Sequence, residues 1–291
     1  MNTLFWDANT IIRLFKIFTY MIDEKLNKEL QATYNPDGSE LKLLQTRMVD
    51  MLEYFDKFCK ENNIKYWLSS GSCLGAIRHG GFIPWDDDMD IEMLKEDYDK
   101  FLSLRDRFES EDFVIQDYHS DDEYITPYPK LRDKKSEVKE NHNRDKYFKY
   151  KGVFIDVFMR EENCYASLKI SHIAQYIAYL ITDIRNNRVR KKIKKVVYWG
   201  LNKVLYPFLK NINFMFCKKN IMYFGLGYGF YIPIDYEWIF PLKDVNFENV
   251  KFPVPAKSDE YLSRLYGDYM KIPQKKADFK QHFTSIKINN N

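Results

Sequence analysis

Apolar residues in the first half of the chain follow two spacings, one typical of helices and one typical of strands. Spacings of three and four predict helices over residues 8–33 and 39–62. Short apolar or alternating runs predict strands at 64–68, 89–93 and 153–158. Because the two kinds of segment are mixed along the chain, the pattern predicts an α/β or α+β fold in which a mixed sheet is flanked by helices.

Residues 165–222 have a different pattern, which predicts a helical insert. The stretch 170–181 is apolar and aromatic, and seven Lys or Arg follow within the eleven residues 185–195. After the insert, the mixed pattern returns over 223–291. We therefore interpret residues 1–291 as a single catalytic domain with three parts, namely a core at 39–160, a basic and aromatic insert at 165–222, and a C-terminal part at 223–291.

Composition supports a folded protein but names no partner. The chain is 45% hydrophobic and 17% aromatic, which favours a packed core, and its net charge of +3 is close to balance. The four cysteines form no CxxC pair, so we expect reduced thiols in a cytosolic protein. The first 25 residues lack the order of parts of a signal peptide, and no apolar window is long enough to predict a spanning helix.

Aspartates at alternate positions give the clearest chemical signal in the sequence. In a strand, residues two apart point to the same side, so Asp88 and Asp90 would present two carboxylates to one point, and Asp86 could extend the row. Such charges repel each other unless a cation joins them, and hard oxygen ligands suit Mg²⁺ or Mn²⁺. A solvated acidic loop is the alternative. Apolar residues on both sides of the run, and a further carboxylate in an apolar run at Asp156, favour the metal site.

A Gly-Ser pair upstream of the aspartates is a candidate phosphate site. Gly71 and Ser72 follow the predicted strand and open a short helix, where backbone amides and the helix dipole favour an anion. Arg78 near the end of that helix is a candidate to clamp phosphate. Lys130 and Arg132 alternate on a predicted strand and could do the same, although a solvated face is the simpler interpretation.

The order of these motifs resembles the nucleotidyltransferase fold of the DNA polymerase β superfamily, and one branch of it more closely. Residues 66–91 are similar to the signature of the LicD family, which includes phosphocholine transferases and relatives of fukutin. Residues 152–158 resemble its second block, and 240–242, 252–255 and 266–270 resemble its C-terminal block. Cys73 and Met159-Arg160 depart from the usual pattern, which puts the identity of the donor in doubt but leaves the carboxylates intact.

The resemblance implies an enzyme that moves phosphocholine or another phospho-alcohol from a CDP-linked donor to a sugar hydroxyl. The acceptor would be a cell-surface glycan or a lipid-linked sugar. By position, the resemblance implies that Asp88 and Asp90 bind the metal and that Asp156 completes the triad. Together with the patterns above, we expect the catalytic residues Asp88, Asp90 and Asp156, the metal ligands Asp86, Asp88 and Asp90, and the donor-phosphate residues Gly71, Ser72 and Arg78. Chemistry agrees, because a metal ion neutralises charge on the leaving nucleotide and Asp156 could accept the proton of the hydroxyl.

Two other functions fit part of the pattern. A sugar-nucleotide glycosyltransferase also places an Asp-x-Asp after a strand to bind a metal-bound diphosphate. A non-catalytic binding protein with a degenerate site is the other alternative, and the intact carboxylates argue against it.

The basic segment 185–195 predicts a partner of its own. Its apolar and aromatic flanks are typical of a helix lying on anionic lipid, so we expect a cytoplasmic enzyme attached peripherally to the inner face of the membrane. Nucleic acid is not an expected partner, because no recognised binding module accompanies the charge.

Overall fold

The computed structural model describes residues 24–140, 144–273 and 283–288. Residues 24–34 are helical and form α1, which agrees with the end of the predicted helix 8–33; the earlier part of that prediction lies outside the described residues. The other helices are α2 Glu40–Glu61, α3 Ser70–His79, α4 Lys95–Ser103, α5 Arg105–Phe108, α6 Tyr165–Thr182, α7 Asn187–Trp199, α8 Tyr206–Phe216, α9 Tyr236–Ile239 and α10 Ser258–Tyr266. A 3₁₀ turn covers Arg144–Tyr147, and a π-helical turn, Gly200–Leu205, joins α7 to α8.

Eleven short strands alternate with these helices in the described part of the chain. They are β1 Trp67–Leu68, β2 Asp90–Leu94, β3 Phe113–Gln116, β4 Lys130–Asp133, β5 Ser136–Glu140, β6 Phe154–Glu162, β7 Ile221–Phe224, β8 Ile234–Asp235, β9 Lys243–Phe247, β10 Val250–Val254 and β11 Phe283–Ile288. The prediction of a mixed α+β fold is confirmed.

Seven strands form the central sheet, in the order β1-β2-β6-β4-β3, with β7 and β8 attached beyond β6. The pair β2 and β6 is parallel, whereas the other pairs in the sheet are antiparallel. Two hairpin-like pairs, β9 with β10 and β5 with β11, complete the strands. A parallel pair needs a crossover, which here runs through α4, α5 and the strands β3 to β5.

Helix α2 packs along the sheet and forms much of the core. Ser39 caps its first turn by accepting a hydrogen bond from the backbone amide of Lys42 at 3.1 Å. Its apolar residues repeat at spacings of three and four, and those on one face are buried: Leu41, Leu44, Met48, Met51, Leu52 and Phe55. The main core joins this face to the sheet, and a smaller second cluster lies between β7 and the helices α6 to α8.

The basic segment differs from its prediction at two positions. Arg190 and Lys194 are buried rather than solvated, because both contact the carboxylate of Glu123, at 2.9 Å and 3.0 Å. These two cations therefore stabilise the packing of α7 and are not available to lipid. Arg185, Arg188, Lys192 and Lys195 are exposed.

The cysteine prediction is wrong for one pair. Cys164 precedes α6 and Cys217 follows α8, and the structure joins them in a disulfide with their Cα atoms 5.3 Å apart. They are 53 residues apart in sequence, so only the return of the helical segment to its starting point brings them together. Cys59 and Cys73 are free and buried, as expected of reduced thiols.

Within residues 24–140, 144–273 and 283–288, no helix combines the length and the apolar composition needed to cross a bilayer.

Candidate active site

Three adjacent strands bring charged side chains into one row at an end of the central sheet. Asp90 on β2 lies opposite Asp156 on β6, and Lys130 on β4 lies opposite Asp156 from the other side. Residues in register on neighbouring strands share a face, so the three side chains meet. The Lys130 Nζ lies 2.9 Å from Asp156 Oδ1, with the two side chains only 11% and 13% exposed. The expectation that Lys130 belongs to a solvated face is therefore wrong.

The segment carrying Asp86 is attached to the helices behind the site. Gln45 of α2 donates to the backbone carbonyl of Asp86 at 2.8 Å. The backbone amide of Asp90 donates to the Ser72 hydroxyl at 2.8 Å, and the amide of Ser69 donates to the carbonyl of Asp90 at 3.0 Å. The start of α3 and the start of β2 are thus fixed to each other, which sets where the carboxylates point.

Gly71 lets a carboxylate approach the first turn of α3. A Cβ at this position would lie 3.0 Å from Oδ2 of Asp86, closer than side chains ordinarily pack. Amides in the first turn of a helix have no earlier turn to donate to, and the dipole makes this end positive. The structure therefore places Gly71 beside the Asp86 carboxylate, while the Ser72 hydroxyl accepts from the amide of Asp90; phosphate binding at these two residues stays a prediction.

Arg78 does not reach this site. Its guanidinium donates to the backbone carbonyl of Tyr269 at 2.7 Å and to the ring nitrogen Nε2 of His79 at 2.9 Å. Arg78 is also absent from the residues that line the cavity described below. The sequence analysis proposed Arg78 because it lies on the same helix as Gly71 and Ser72. In the structure its guanidinium contacts the segment after α10, so we do not retain Arg78 as a phosphate ligand.

Arg132 is a second basic residue whose partners lie inside the protein. It is fully buried, and it donates to Gln116 at 2.7 Å, to the carbonyl of Gly152 at 2.7 Å and to Glu140 at 3.1 Å. The expectation of a solvated face fails for Arg132 as it does for Lys130.

Asp86, Asp88, Asp90 and Asp156 are half-buried close to one another, so their charged forms are disfavoured. Burial, followed by the negative charges of Asp88 and its neighbours, raises the pKa of Asp86 well above its ordinary value. Burial and the charges of Asp88 and Asp156 raise the pKa of Asp90 in the same way. Burial also raises the pKa of Asp156, although the ammonium of Lys130 opposes the shift. An arrangement of this kind binds a cation because the cation removes the repulsion.

The donor set suits a hard divalent cation. Carboxylate oxygens of Asp86, Asp87 and Asp88 lie within 4.8 Å of one another, and oxygen-only sets of this type fit Mg²⁺ or Mn²⁺. Asp87 was not predicted. It is buried, and its Oδ2 accepts a hydrogen bond from the amide of Phe283 at 3.0 Å, so it also anchors β11. Asp86, Asp88 and Asp90, not Asp87, line the adjoining cavity, and we regard those three as the better ligand set.

A cavity of about 730 Å³ opens in front of the carboxylates. Its acidic and polar lining consists of Asp86, Asp88, Asp90 and Asp156, together with Ser70 and Gly71. The rest of its lining is mostly aromatic and apolar, and its main members are Tyr128, Phe158, Phe224, Phe230, Tyr231, Ile232 and Tyr266. We call these seven residues the aromatic wall. The cavity can therefore receive a ligand that carries both an anionic or metal-bound group and an apolar or cationic group.

The aromatic wall was missed by the sequence analysis. Tyr266 was noted only as part of a motif, but it lines the cavity together with the carboxylates. Phe224 ends β7, and Phe230 and Tyr231 lie in the loop between β7 and β8. Their spacing gave no signal, because they meet β2 and β6 only after the chain has returned to the sheet.

A buried ion pair connects several of the segments that line the cavity. Arg160 on β6 donates two hydrogen bonds to the carboxylate of Glu92 on β2, both at 2.9 Å, and a third to the carbonyl of Ile232 at 3.1 Å. The hydroxyl of Tyr261 donates to Glu92 at 3.3 Å and accepts from the amide of Ser70 at 3.2 Å. One network thus fixes both strands, the start of α3 and the loop that carries part of the aromatic wall.

Comparison with known proteins shows which family and which proteins this chain is similar to. Residues 63–175 match the model of the LicD/FKTN/FKRP nucleotidyltransferase domain. The lipopolysaccharide cholinephosphotransferase LicD of Haemophilus influenzae is 27% identical over 277 residues, which are 85% of this chain and 98% of that protein.

Two mammalian proteins are similar over shorter stretches. The human ribitol 5-phosphate transferase FKRP is 50% identical over 42 residues, which are 14% of this chain and 8% of FKRP. The mouse ribitol-5-phosphate transferase FKTN is 32% identical over 69 residues, which are 24% of this chain and 15% of FKTN.

Proposed function

The chain carries a LicD family domain and is a phosphotransferase, and from this premise we propose that it transfers phosphocholine, or a similar phospho-alcohol, from a CDP-linked donor to a sugar hydroxyl. One observation carries the proposal: Asp90 and Asp156 lie in register on β2 and β6, with Asp86 and Asp88 lining the same cavity beside the start of α3. The acceptor is proposed to be a cell-surface glycan or its lipid-linked precursor.

The four carboxylates would have two roles in the reaction, namely metal binding and acceptance of a proton. Asp86, Asp88 and Asp90 would hold Mg²⁺ or Mn²⁺, which would neutralise charge on the diphosphate and on the departing nucleotide. Asp156 faces the same cavity and is the candidate to accept the proton of the acceptor hydroxyl. Lys130 contacts Asp156 at 2.9 Å and would keep that carboxylate oriented. The first turn of α3 at Gly71 and Ser72 offers backbone amides to a donor phosphate.

The aromatic wall favours choline over a polyol as the alcohol. A quaternary ammonium is attracted to the faces of aromatic rings, and aromatic cages bind choline in other proteins. Six of the seven residues of the aromatic wall carry a ring. A polyol such as ribitol would instead need a dense set of hydrogen-bonding side chains.

We also propose that the enzyme works peripherally at an anionic membrane, on its cytoplasmic face. The support is the set of exposed basic residues Arg185, Arg188, Lys192 and Lys195. The sequence analysis inferred a cytosolic location from four reduced cysteines. Because Cys164 and Cys217 form a disulfide, the cysteines no longer support that location, and the proposal depends on the basic residues alone.

A donor screen tests the reaction. The chain is incubated with Mg²⁺ and an acceptor glycan, together with CDP-choline, CDP-ribitol or a UDP-sugar, and the acceptor product is identified by mass. We expect the mass of phosphocholine to be added and CMP to be released. Addition of a sugar with release of a nucleoside diphosphate would instead show a glycosyltransferase, and no addition from any donor would favour a non-catalytic protein.

A further inference from the structure

Helix α6 has its polar side turned inward and its apolar side turned outward. Ser167, Ser171, Gln175 and Thr182 are buried against the rest of the protein. Six large apolar or aromatic residues face outward and are 48–61% exposed, namely Ile170, Ile173, Tyr176, Ile177, Leu180 and Ile181. We call these six residues the α6 apolar face. Amphipathic helices on globular proteins ordinarily have the opposite orientation.

Hydrogen bonds to the rest of the protein fix this orientation. Gln175 donates to the carbonyl of Ile125 at 2.9 Å and accepts from the hydroxyl of Tyr206 at 2.9 Å. The Ser171 hydroxyl accepts from the amide of Gly227 at 2.9 Å. Rotating α6 to bury its isoleucines would leave these partners without a hydrogen bond inside the protein, which costs free energy. The α6 apolar face is therefore a stable outer surface of this fold.

The charges around this face are almost all positive. Residues 165–211 contain ten Lys or Arg and one acidic residue, Asp183, whereas the whole chain has 45 basic and 42 acidic residues. Four of the ten form ion pairs with carboxylates of other segments, namely Arg190, Lys191, Lys194 and Lys210, so six basic residues remain to give this surface its positive charge. Exposed Lys169 lies near one end of α6, and exposed Arg185 and Arg188 follow the other end. Helix α7 packs against α6 and adds exposed Lys192 and Trp199, the indole being 60% exposed.

We propose that the α6 apolar face lies in the headgroup boundary of an anionic lipid membrane, with the surrounding Lys and Arg in contact with the lipid phosphates. An apolar stripe bordered by basic and aromatic residues is the pattern of a helix lying in that boundary. Anionic lipid matches the charge of this surface. A second copy of the chain does not, because two surfaces with this excess of positive charge repel each other.

The face adjoins the cavity. His172, one residue before Ile173, is hydrogen-bonded to the hydroxyl of Tyr231, and the rings of Tyr165 and Tyr231 lie 5.7 Å apart. Tyr231 belongs to the aromatic wall. Docking through α6 therefore brings the cavity close to the lipid surface, where a lipid-linked sugar presents its hydroxyl. Delivery of a lipid-linked acceptor rests on the proposed transfer reaction, whereas contact between the α6 apolar face and lipid does not.

Vesicle co-sedimentation tests the proposal. Wild type is mixed with vesicles of phosphatidylcholine alone or of phosphatidylcholine with phosphatidylglycerol, over a salt series. We expect binding to the anionic vesicles that salt weakens but does not abolish, because the apolar contribution is insensitive to salt. The double variant Ile173→Glu/Ile177→Glu should lower the partition coefficient by about tenfold or more. Leu43→Glu on α2, an exposed leucine far along the chain, is the matched control and should bind as wild type does.

Two further readouts separate the outcomes. Light scattering distinguishes a second copy, because a wild-type dimer that the double variant converts to a monomer, without vesicle binding, would overturn the proposal. Wild type that stays in the supernatant with anionic vesicles at low salt, or a double variant that binds as wild type does, would overturn it too. Transfer to a short soluble acceptor should be equal in wild type and in the double variant. If no donor is turned over, the proposed function fails while the vesicle result stands.

Discussion

The sheet around the cavity buries carboxylates, whereas the helical segment from α6 to α8 exposes isoleucines. Burial and the negative charge of Asp88 raise the pKa values of Asp86, Asp90 and Asp156. Ile173 and Ile177 lie in solvent while Gln175 between them is buried. Both arrangements cost free energy in the isolated chain, and by our proposals a cation would relieve the first and an apolar lipid surface the second. The clustered carboxylates thus mark the proposed metal site, and the exposed isoleucines mark the proposed lipid-binding surface.

The largest effect is expected from the carboxylates. Asp88→Ala or Asp90→Ala should lower transfer by about a thousandfold or more, because the charge on the diphosphate loses its metal-linked neutralisation. Circular dichroism should show a retained fold, since each change removes a repelling charge. The matched control is Asp99→Ala, an exposed aspartate paired with Lys95 on α4. Near-normal turnover by either variant would remove the site from this cavity.

Asp156 and Lys130 should give a smaller but more selective loss. Asp156→Asn keeps the shape but removes the charge, so we expect kcat to fall by about a hundredfold while donor binding changes less. Lys130→Met should lower kcat in the same direction, because Asp156 loses the ammonium 2.9 Å away. Lys130→Arg should restore part of the rate. If Asp156→Asn turned over at the wild-type rate, Asp156 would be only a structural residue.

Two buried Arg–Glu pairs, one near the cavity and one in the helical segment, allow a direct comparison of the two regions. Arg160 pairs with Glu92 under the cavity, and Arg190 pairs with Glu123 in the helical segment, each at 2.9 Å. Arg160→Gln should lower the free energy of unfolding by about 3 kcal/mol, and Arg190→Gln by about 2 kcal/mol because Lys194 still contacts Glu123. Below the unfolding temperature, only Arg160→Gln should also impair transfer. Equal loss of activity in the two variants, measured beside urea denaturation, would contradict this division.

The smallest effect concerns pH and divalent cations. The folded state holds the protons of Asp86 and Asp90 to a higher pH than the unfolded chain does, because their pKa values are raised. Their contribution to stability is therefore present below the unfolded pKa of about 4 and is lost as the pH rises through the folded pKa. Mg²⁺ favours the charged carboxylates, so it should raise the melting temperature by several degrees near pH 7 and by less near pH 5. The reverse order in calorimetry would contradict a carboxylate site.

The sequence predicted what depends on local pattern. The helix face from Leu41 to Phe55, the strand that carries Asp90 and the strand that carries Asp156 all follow from periods of 3.6 and 2. The register that brings Asp90 beside Asp156 is a pairing of distant segments, and only the family resemblance indicated it. Residue spacing could not distinguish a buried cation such as Arg132 from a solvated one.

The remaining differences have the same cause. Arg78 turns toward Tyr269, 191 residues later in the chain. The disulfide partners Cys164 and Cys217 meet because three helices return the chain to its start. On α6 the sequence showed only an apolar and aromatic stretch, because which side faces inward depends on the partners of Gln175 and Ser171 elsewhere in the fold.

The central claim is that Asp86, Asp88 and Asp90 together bind a divalent cation in the cavity. Titration with Mn²⁺ followed by electron paramagnetic resonance measures this without any substrate. Wild type at neutral pH should bind Mn²⁺ at a site that Mg²⁺ displaces, and Asp88→Asn should lose that site while Asp99→Asn keeps it. Equal Mn²⁺ binding by wild type and Asp88→Asn, or none by either, would contradict the account.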